Sequence, residues 1–186
     1  MKGCRPLSDD EIAQMLPVFK CLRDRVIFLL GLKTGYRISE LLSLKRTDLF
    51  QSGHVSNRVI VTRSNMKGKV DSRSVILSPS LKPLIEEYCR SIEDYTYLFP
   101  SRQGGDVPLS YKRAWRIFKD AIGESLVDSQ HTGTHCMRKT FAKKVYEIVE
   151  KDILKTKEAL GHRRLDSTIS YLSFDWSDID DAILKV

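Results

Sequence analysis

The chain predicts an α+β fold that is mainly helical and carries a small antiparallel β-hairpin. Two patterns predict it. Apolar residues recur at helical spacing along most of the chain. Between 55 and 78, VSNRVIVTRSNMKGKVDSRSVILS, two β-rich runs instead flank a polar turn that contains Gly68. The length bounds the architecture, because 186 residues suffice for one well-buried core and are short for two. A single domain over residues 1–186 is expected.

The elements follow in order. PLSDDEIAQML holds a capping box, Ser8 with Glu11 three residues on, and opens a helix. A second helix, Leu22 to Lys33, stops at Gly35, which suits a left-handed C-terminal cap. In YRISELLSL, Arg37 and Glu40 share one side while Ile38, Leu41, Leu42 and Leu44 supply buried surface. After the hairpin, PSLKPLIEEYCRSI returns to helical spacing, with Tyr88 in register with Leu81, Leu84 and Ile85 and so assigned to the core. LFPSRQGGDVPLS is a loop punctuated by Gly104, Gly105 and Pro108, and YKRAWRIFKDAIG is a helix ending near Gly123.

The last third carries the unusual residues. GTHCMRKTFAKKVYE reads as a helix whose Arg138 shares the inward stripe with Phe141, Ala142, Val145 and Val149, an odd place for a guanidinium. KDILKTKEALGHRRLDSTISYL gives a helix closed by Gly161, then a short helix with Asp166 as its cap. Tyr171 lies off the stripe formed by Leu165, Ile169 and Leu172, so its hydroxyl is expected to face outward or into a cleft, where a nucleophile is needed. Tyr146, like Tyr88, is placed against apolar neighbours.

Composition narrows the function classes. A net charge of +7 and a pI near 9.2 invite a polyanion, and the basic residues crowd into 58–73, 112–119, 138–144 and 155–164. The longest apolar run, Val26 to Leu32, is far shorter than the roughly 20 residues that span a bilayer, and no signal segment opens the chain. No membrane association is expected, and a cytoplasmic location is. Cys4, Cys21, Cys89 and Cys136 form no C-x-x-C pair, which suggests reduced thiols rather than a disulfide framework or zinc site.

Arg37, His135, Arg138 and His162 come from three distant segments, each followed or preceded by helix-terminating signals. Guanidinium does not ligate metals, but its planar bidentate donors and permanent charge hold a phosphate well. Each residue also has a plainer reading. Arg37 makes a surface ion pair with Glu40, and His162 helps to cap a helix. His131 and His135 form a zinc pair only against Gly133 between them and without an H-E-x-x-H carboxylate.

Arg37 within TGYRISELLSL, then HCMR, then LGH and a tyrosine nine residues later, together resemble the tyrosine recombinase family, the phage integrases. The likeness runs through the catalytic domain, from LSDDEIAQML through YLFPSRQGG and GTHCMRKTFA to LGHRRLDSTISYL. It implies that family's catalytic-domain fold and site-specific cleavage and rejoining of DNA through a 3′-phosphotyrosine. It implies further that Arg37, His135, Arg138 and His162 grip the scissile phosphate, that Tyr171 attacks it, and that Glu40 orients Arg37. A lysine in the hairpin turn serves the family as general acid. Lys67 and Lys69 are both available, and Lys67 is favoured because the family lysine lies at the end of the first strand, directly before a glycine; Lys69 then assists through charge.

The physical chemistry is compatible. Ionising a free tyrosine, with its pKa of about 10, costs roughly 4 kcal/mol at neutral pH. Neighbouring cations lower that cost and stabilise the charge that builds on phosphorus. Guanidinium supplies that charge and the phosphotyrosine ester conserves bond energy, so neither cofactor nor metal is expected. The resemblance implies double-stranded DNA as partner, a homo-tetramer on paired sites, accessory DNA-bending proteins, and a tail, 172–186, that packs on a neighbouring protomer. Only seven residues precede the first helix, so a separate N-terminal DNA-clamping domain is absent from this reading, as in a short single-domain recombinase or a catalytic fragment. The alternatives are a topoisomerase-like nicking and closing enzyme and a DNA-binding regulator derived from a recombinase.

Overall fold

The computed structural model describes residues 4–62, 64, 72–102, 105–172 and 184. Helix α1, Asp9–Met15, opens with the Ser8–Glu11 capping box, and α2, Leu22–Thr34, ends at Gly35 in the left-handed region at φ 63°. A Cβ at Gly35 would collide with the Phe141 ring, so both backbone conformation and space require glycine there. The remaining helices are α3, Ile38–Leu42; α4, Lys82–Arg90; α5, Tyr111–Glu124; α6, His135–Ile148; α7, Ile153–Leu160; and α8, Leu165–Leu172.

Helix α2 is buried nearly all round, through Val26, Ile27, Phe28, Leu30 and Leu32, which makes it the central helix. Phe28 joins Phe19 and Phe118 of α5, with ring centroids 4.9 and 6.2 Å away. Helix α6 crosses α2 at Gly31, where any Cβ would lie 2.6 Å from the Met137 sulfur, so glycine permits the close approach. Tyr88 is in the core as expected, donating its hydroxyl to the Leu98 carbonyl at 2.8 Å.

The expected hairpin forms from β3, Arg58–Val61, and β4, Arg73–Ile76, antiparallel with Val59 opposite Val75 and Val61 opposite Arg73. A second hairpin, absent from the sequence reading, pairs β1, Phe50–Gln51, with β2, His54–Val55. Its two-residue turn has Ser52 at φ 50° and Gly53 at φ 80°, the paired positive φ that matches strand twist. Strands this short carry too little alternation to be recognised.

Three expectations change in the last third. On α6 the burial gathers in its first half, on Cys136, Met137, Arg138, Lys139, Thr140 and Ala142, because that half crosses α2 and meets α7 and α8. Phe141, Val145 and Val149 are only half-buried, as is Tyr146. Asp166 does not cap α8: it is the second helical residue and pairs with Arg164 at 2.9 Å. The stripe of Leu165 and Ile169 faces solvent, at 37% and 47% exposed, whereas Thr168 is buried and Tyr171 half-buried beside it. Helix α8 therefore packs through its Thr168 and Tyr171 side, the reverse of what apolarity suggested. Among the described residues no helix is long and apolar enough to cross a membrane.

Candidate active site

Four chain segments converge around Tyr171. The first is the turn after α2, where Arg37 is the N-cap of α3. Glu40, fully buried, accepts the Arg37 backbone N–H at 2.8 Å and its Nη1 at 2.6 Å. A carboxylate held from two directions fixes the arginine's stem and leaves its other guanidinium donors for a further acceptor.

Helix α6 contributes the second segment. His135 is its first residue, exposed, with Nδ1 3.2 Å from the Tyr171 hydroxyl. One turn on, Arg138 is 1% exposed and donates through Nη1 to the Gly35 carbonyl and through Nη2 to the Leu160 carbonyl at 2.7 Å. These carbonyls end α2 and α7, where helix dipoles place partial negative charge. Its guanidinium carbon lies 5.8 Å from the Tyr171 ring centre, and its Nε is buried without a hydrogen-bond partner. Desolvation, then the charges of Arg37 and Arg73, lowers its pKa to about 10, which still leaves it cationic at neutral pH.

The third segment is the turn closing α7. Gly161 takes φ 63°, and the His162 N–H bonds back to the Lys157 carbonyl, so the capping reading of this turn is correct as far as the backbone goes. The His162 side chain is buried, with Nδ1 3.0 Å from the Thr168 hydroxyl and Nε2 unpartnered. Burial first, then Arg138, Arg37 and Arg73, depresses its pKa to about 3, so the imidazole is neutral here. Its ring meets that of Tyr171 edge-on at 5.1 Å.

Tyr171, on α8, is the fourth contribution. The structure thus gathers Arg138, His135 and His162 directly around the tyrosine, with Arg37 and Glu40 close enough to act on Arg138 electrostatically. Lys67 and Lys69 lie outside the described residues, as does the tail beyond Leu172 apart from Leu184. Sequence reasoning passed over Lys139, 8% exposed, whose ammonium sits 5.5 Å from the Tyr171 ring centre. The available signal was its place next to Arg138 within a cationic stretch. Among the described residues no group of three His, Cys, Asp or Glu side chains is placed to hold a metal.

Unpartnered buried donors on Arg138 and His162, both against the tyrosine ring, would be costly in a site meant to stay unoccupied. Donors of that kind, with permanent charge behind them, suit an oxyanion such as a phosphodiester. A surface cavity of about 670 Å³ lies elsewhere, lined by Arg23, Arg102, Lys112, Arg113 and Arg116 among others, and shares none of the site residues.

Comparison with known proteins agrees with this chemistry. The profile of the Phage integrase family matches residues 5–176. The probable integrase/recombinase YoeC of Bacillus subtilis is 32% identical over 176 residues, covering 95% of this chain and 90% of that protein. Tyrosine recombinase XerA of Pyrococcus furiosus is 31% identical, covering 96% of this chain and 60% of its own. Among solved structures, the XerH site-specific recombinase in a post-cleavage complex with palindromic difH substrate superposes with TM-score 0.77 at 23% identity, over 98% of this chain and 53% of that one. XerA recombinase gives TM-score 0.77 at 22% identity, over 100% and 66%. The chain therefore spans most of the Bacillus relative and about half to two thirds of these two recombinases of known structure.

Proposed function

Because the chain belongs to the phage integrase family, we propose that it is a site-specific tyrosine recombinase that cleaves and rejoins DNA strands through a 3′-phosphotyrosine. The observation that carries this reading is the convergence on Tyr171 of one histidine at hydrogen-bond distance and two side chains with unpartnered buried donors.

In this mechanism His135 Nδ1, in the tautomer that leaves it an acceptor, takes the Tyr171 proton while the phenolic oxygen forms a bond to phosphorus. The bond from phosphorus to the 5′ oxygen breaks, and a general acid protonates the departing hydroxyl. Lys67 is proposed for that role, with Lys69 assisting through charge. Arg37, Arg138 and His162 hold the non-bridging oxygens, drawing on the donors that the carbonyls and Glu40 leave over. Rejoining reverses each step, with the 5′ hydroxyl of a partner strand as attacking group. Neutral His162 is suited to donate a hydrogen bond through Nε2, and an anionic phosphate beside it would raise its depressed pKa.

Duplex DNA is the proposed partner. The cationic cavity at the start of α5 gives a second place for the backbone to rest, and phosphate contacts there would add affinity without sequence information. Strand exchange between two sites calls for a tetramer, with the tail 172–186 docked on a neighbouring protomer and accessory bending proteins as helpers. The exchange reading is preferred to simple nicking and closing because the relatives are recombinases and integrases.

The test is a covalent selection. A pool of nicked duplexes with randomised sequence, each set to lose a short 5′-hydroxyl fragment on cleavage, is incubated with the protein in EDTA without ATP. Recovery of protein–DNA adducts under denaturing conditions, enriched for one sequence and linked at the 3′ side of the break, is the expected result. Recovery of none would refute the reading.

A further inference from the structure

Strand β4 turns an arginine inward. Arg73 is 7% exposed, at the inward position opposite Val61. Its guanidinium donates through Nη2 to the Thr34 carbonyl at 2.7 Å and to the Ala159 carbonyl, and through Nε to Ala159 again at 3.1 Å. Arg138 takes the next carbonyl on each of the same two segments, Gly35 and Leu160. Two guanidiniums therefore bridge the C-terminal ends of α2 and α7 at consecutive residues.

The hold is reciprocal. The Arg73 guanidinium lies over the Tyr36 ring, 4.6 Å from its centre, and the Tyr36 hydroxyl donates to the Arg73 carbonyl, with the Val59 carbonyl also within reach at 3.1 Å. Phe141 of α6 flanks the same guanidinium at 5.8 Å. A Cβ on Gly161 would sit 2.9 Å from the Arg73 Cδ, so the turn before His162 is moulded against this side chain. One residue thus touches the turn bearing Arg37, the helix bearing Arg138 and the turn bearing His162.

A neutral donor would suffice to join two helix ends. Burying a second cation near Arg138 and Arg37 is costly: desolvation, foremost, and the Arg37 charge lower the Arg73 pKa. Its Nη1 remains buried and unpartnered. When a phosphate draws on the spare donors of Arg138, Arg73 keeps α2 and α7 from parting.

We propose that Arg73 is a positioning residue for strand cleavage, setting the spacing between the Arg37 and His162 turns and so the aim of the phosphate-holding side chains. This inference rests on the strand-transfer reading above. The experiment compares wild-type protein, Arg73→Lys, Arg73→Gln and Tyr171→Phe on a duplex recovered from the covalent selection, measuring thermal unfolding, DNA affinity and single-turnover cleavage at saturating DNA. Arg73→Lys keeps the charge but loses the planar fork. It should bind within a few-fold of wild type and cleave about 100-fold more slowly, a loss that extra DNA does not restore. Arg73→Gln, which also removes a charge facing His162, should in addition raise the His162 pKa in an NMR titration.

If Arg73→Lys does not fold, Tyr36→Phe carries the test, since it deletes only the hydroxyl anchoring the Arg73 backbone; about tenfold slower cleavage at saturating DNA is expected. Wild-type cleavage by whichever variant carries the test overturns the inference, as does a loss that merely follows affinity or folded fraction. If the wild-type protein itself forms no adduct, the strand-transfer reading falls and this inference with it.

Discussion

The ends of α2 and α7 differ from α8 in how firmly each is held. At the former, Arg138 and Arg73 saturate four consecutive-pair carbonyls, Gly35 and Gly161 adopt φ 63°, and neither side chain of the arginine pair is more than 7% exposed. Helix α8 is short, packs through Thr168 and Tyr171, and leaves Leu165 and Ile169 in solvent. In the proposed reaction the phosphate clamp is thus fixed in advance, while the attacking group rides on the more loosely seated helix. Such an arrangement places preorganisation where charge develops.

Breaking the clamp should therefore cost stability as well as activity. Arg138→Met removes the donors from two buried carbonyls and should lower unfolding free energy by about 2–4 kcal/mol, measured by urea denaturation. Gly161→Ala forces an L-residue into the left-handed region and against the Arg73 stem. It should cost about 1–2 kcal/mol and slow cleavage, because His162 is the next residue.

The histidine sharpens the comparison through pH. His162 has a folded pKa of about 3, below its ordinary value of 6.5, so the unfolded chain takes up the proton first. Its contribution is complete above pH 6.5 and is lost as pH falls toward 3, with Arg138, Arg37 and Arg73 opposing protonation. Stability of the wild type should fall across that interval by up to about 1.4 kcal/mol per pH unit from this group, and His162→Gln should flatten the curve. The smallest effect belongs to α8: Tyr171→Phe gives up one 3.2 Å hydrogen bond on a half-buried ring and should change unfolding free energy by less than about 1 kcal/mol.

Much of this was legible in advance because it depends on local signals. The Ser8–Glu11 box, the glycine stops at Gly35 and Gly161 and the inward register of Arg138 are properties of a few neighbouring residues. What could not be read depended on contacts distant in sequence. Helix α8 turned its apolar stripe outward because the partners of Thr168 and Tyr171 are His162 and His135, so hydrogen bonds and ring contacts outweighed apolar periodicity. The thiols of Cys4 and Cys136, scattered by any spacing rule, lie close enough to shift each other's ionisation where the first described residues lie against the start of α6, with Cys136 Sγ donating to the His131 carbonyl at 3.7 Å. Arg73 had a signal that went unused: it shares a strand face with Val75, the same anomaly that made Arg138 conspicuous on its helix.

The central claim is that Tyr171 is the attacking group, and one gel measures it. On a nicked suicide duplex recovered by selection, the wild-type protein should accumulate an adduct that survives denaturation, in EDTA and without ATP, with the DNA joined through its 3′ phosphate to the peptide containing Tyr171. Tyr171→Phe should fold, bind the same duplex and yield no adduct, while Tyr88→Phe, which alters a core tyrosine bonded to Leu98, should yield it. An adduct formed by Tyr171→Phe would contradict the account, because the histidines and arginines gathered here would then be serving some other nucleophile.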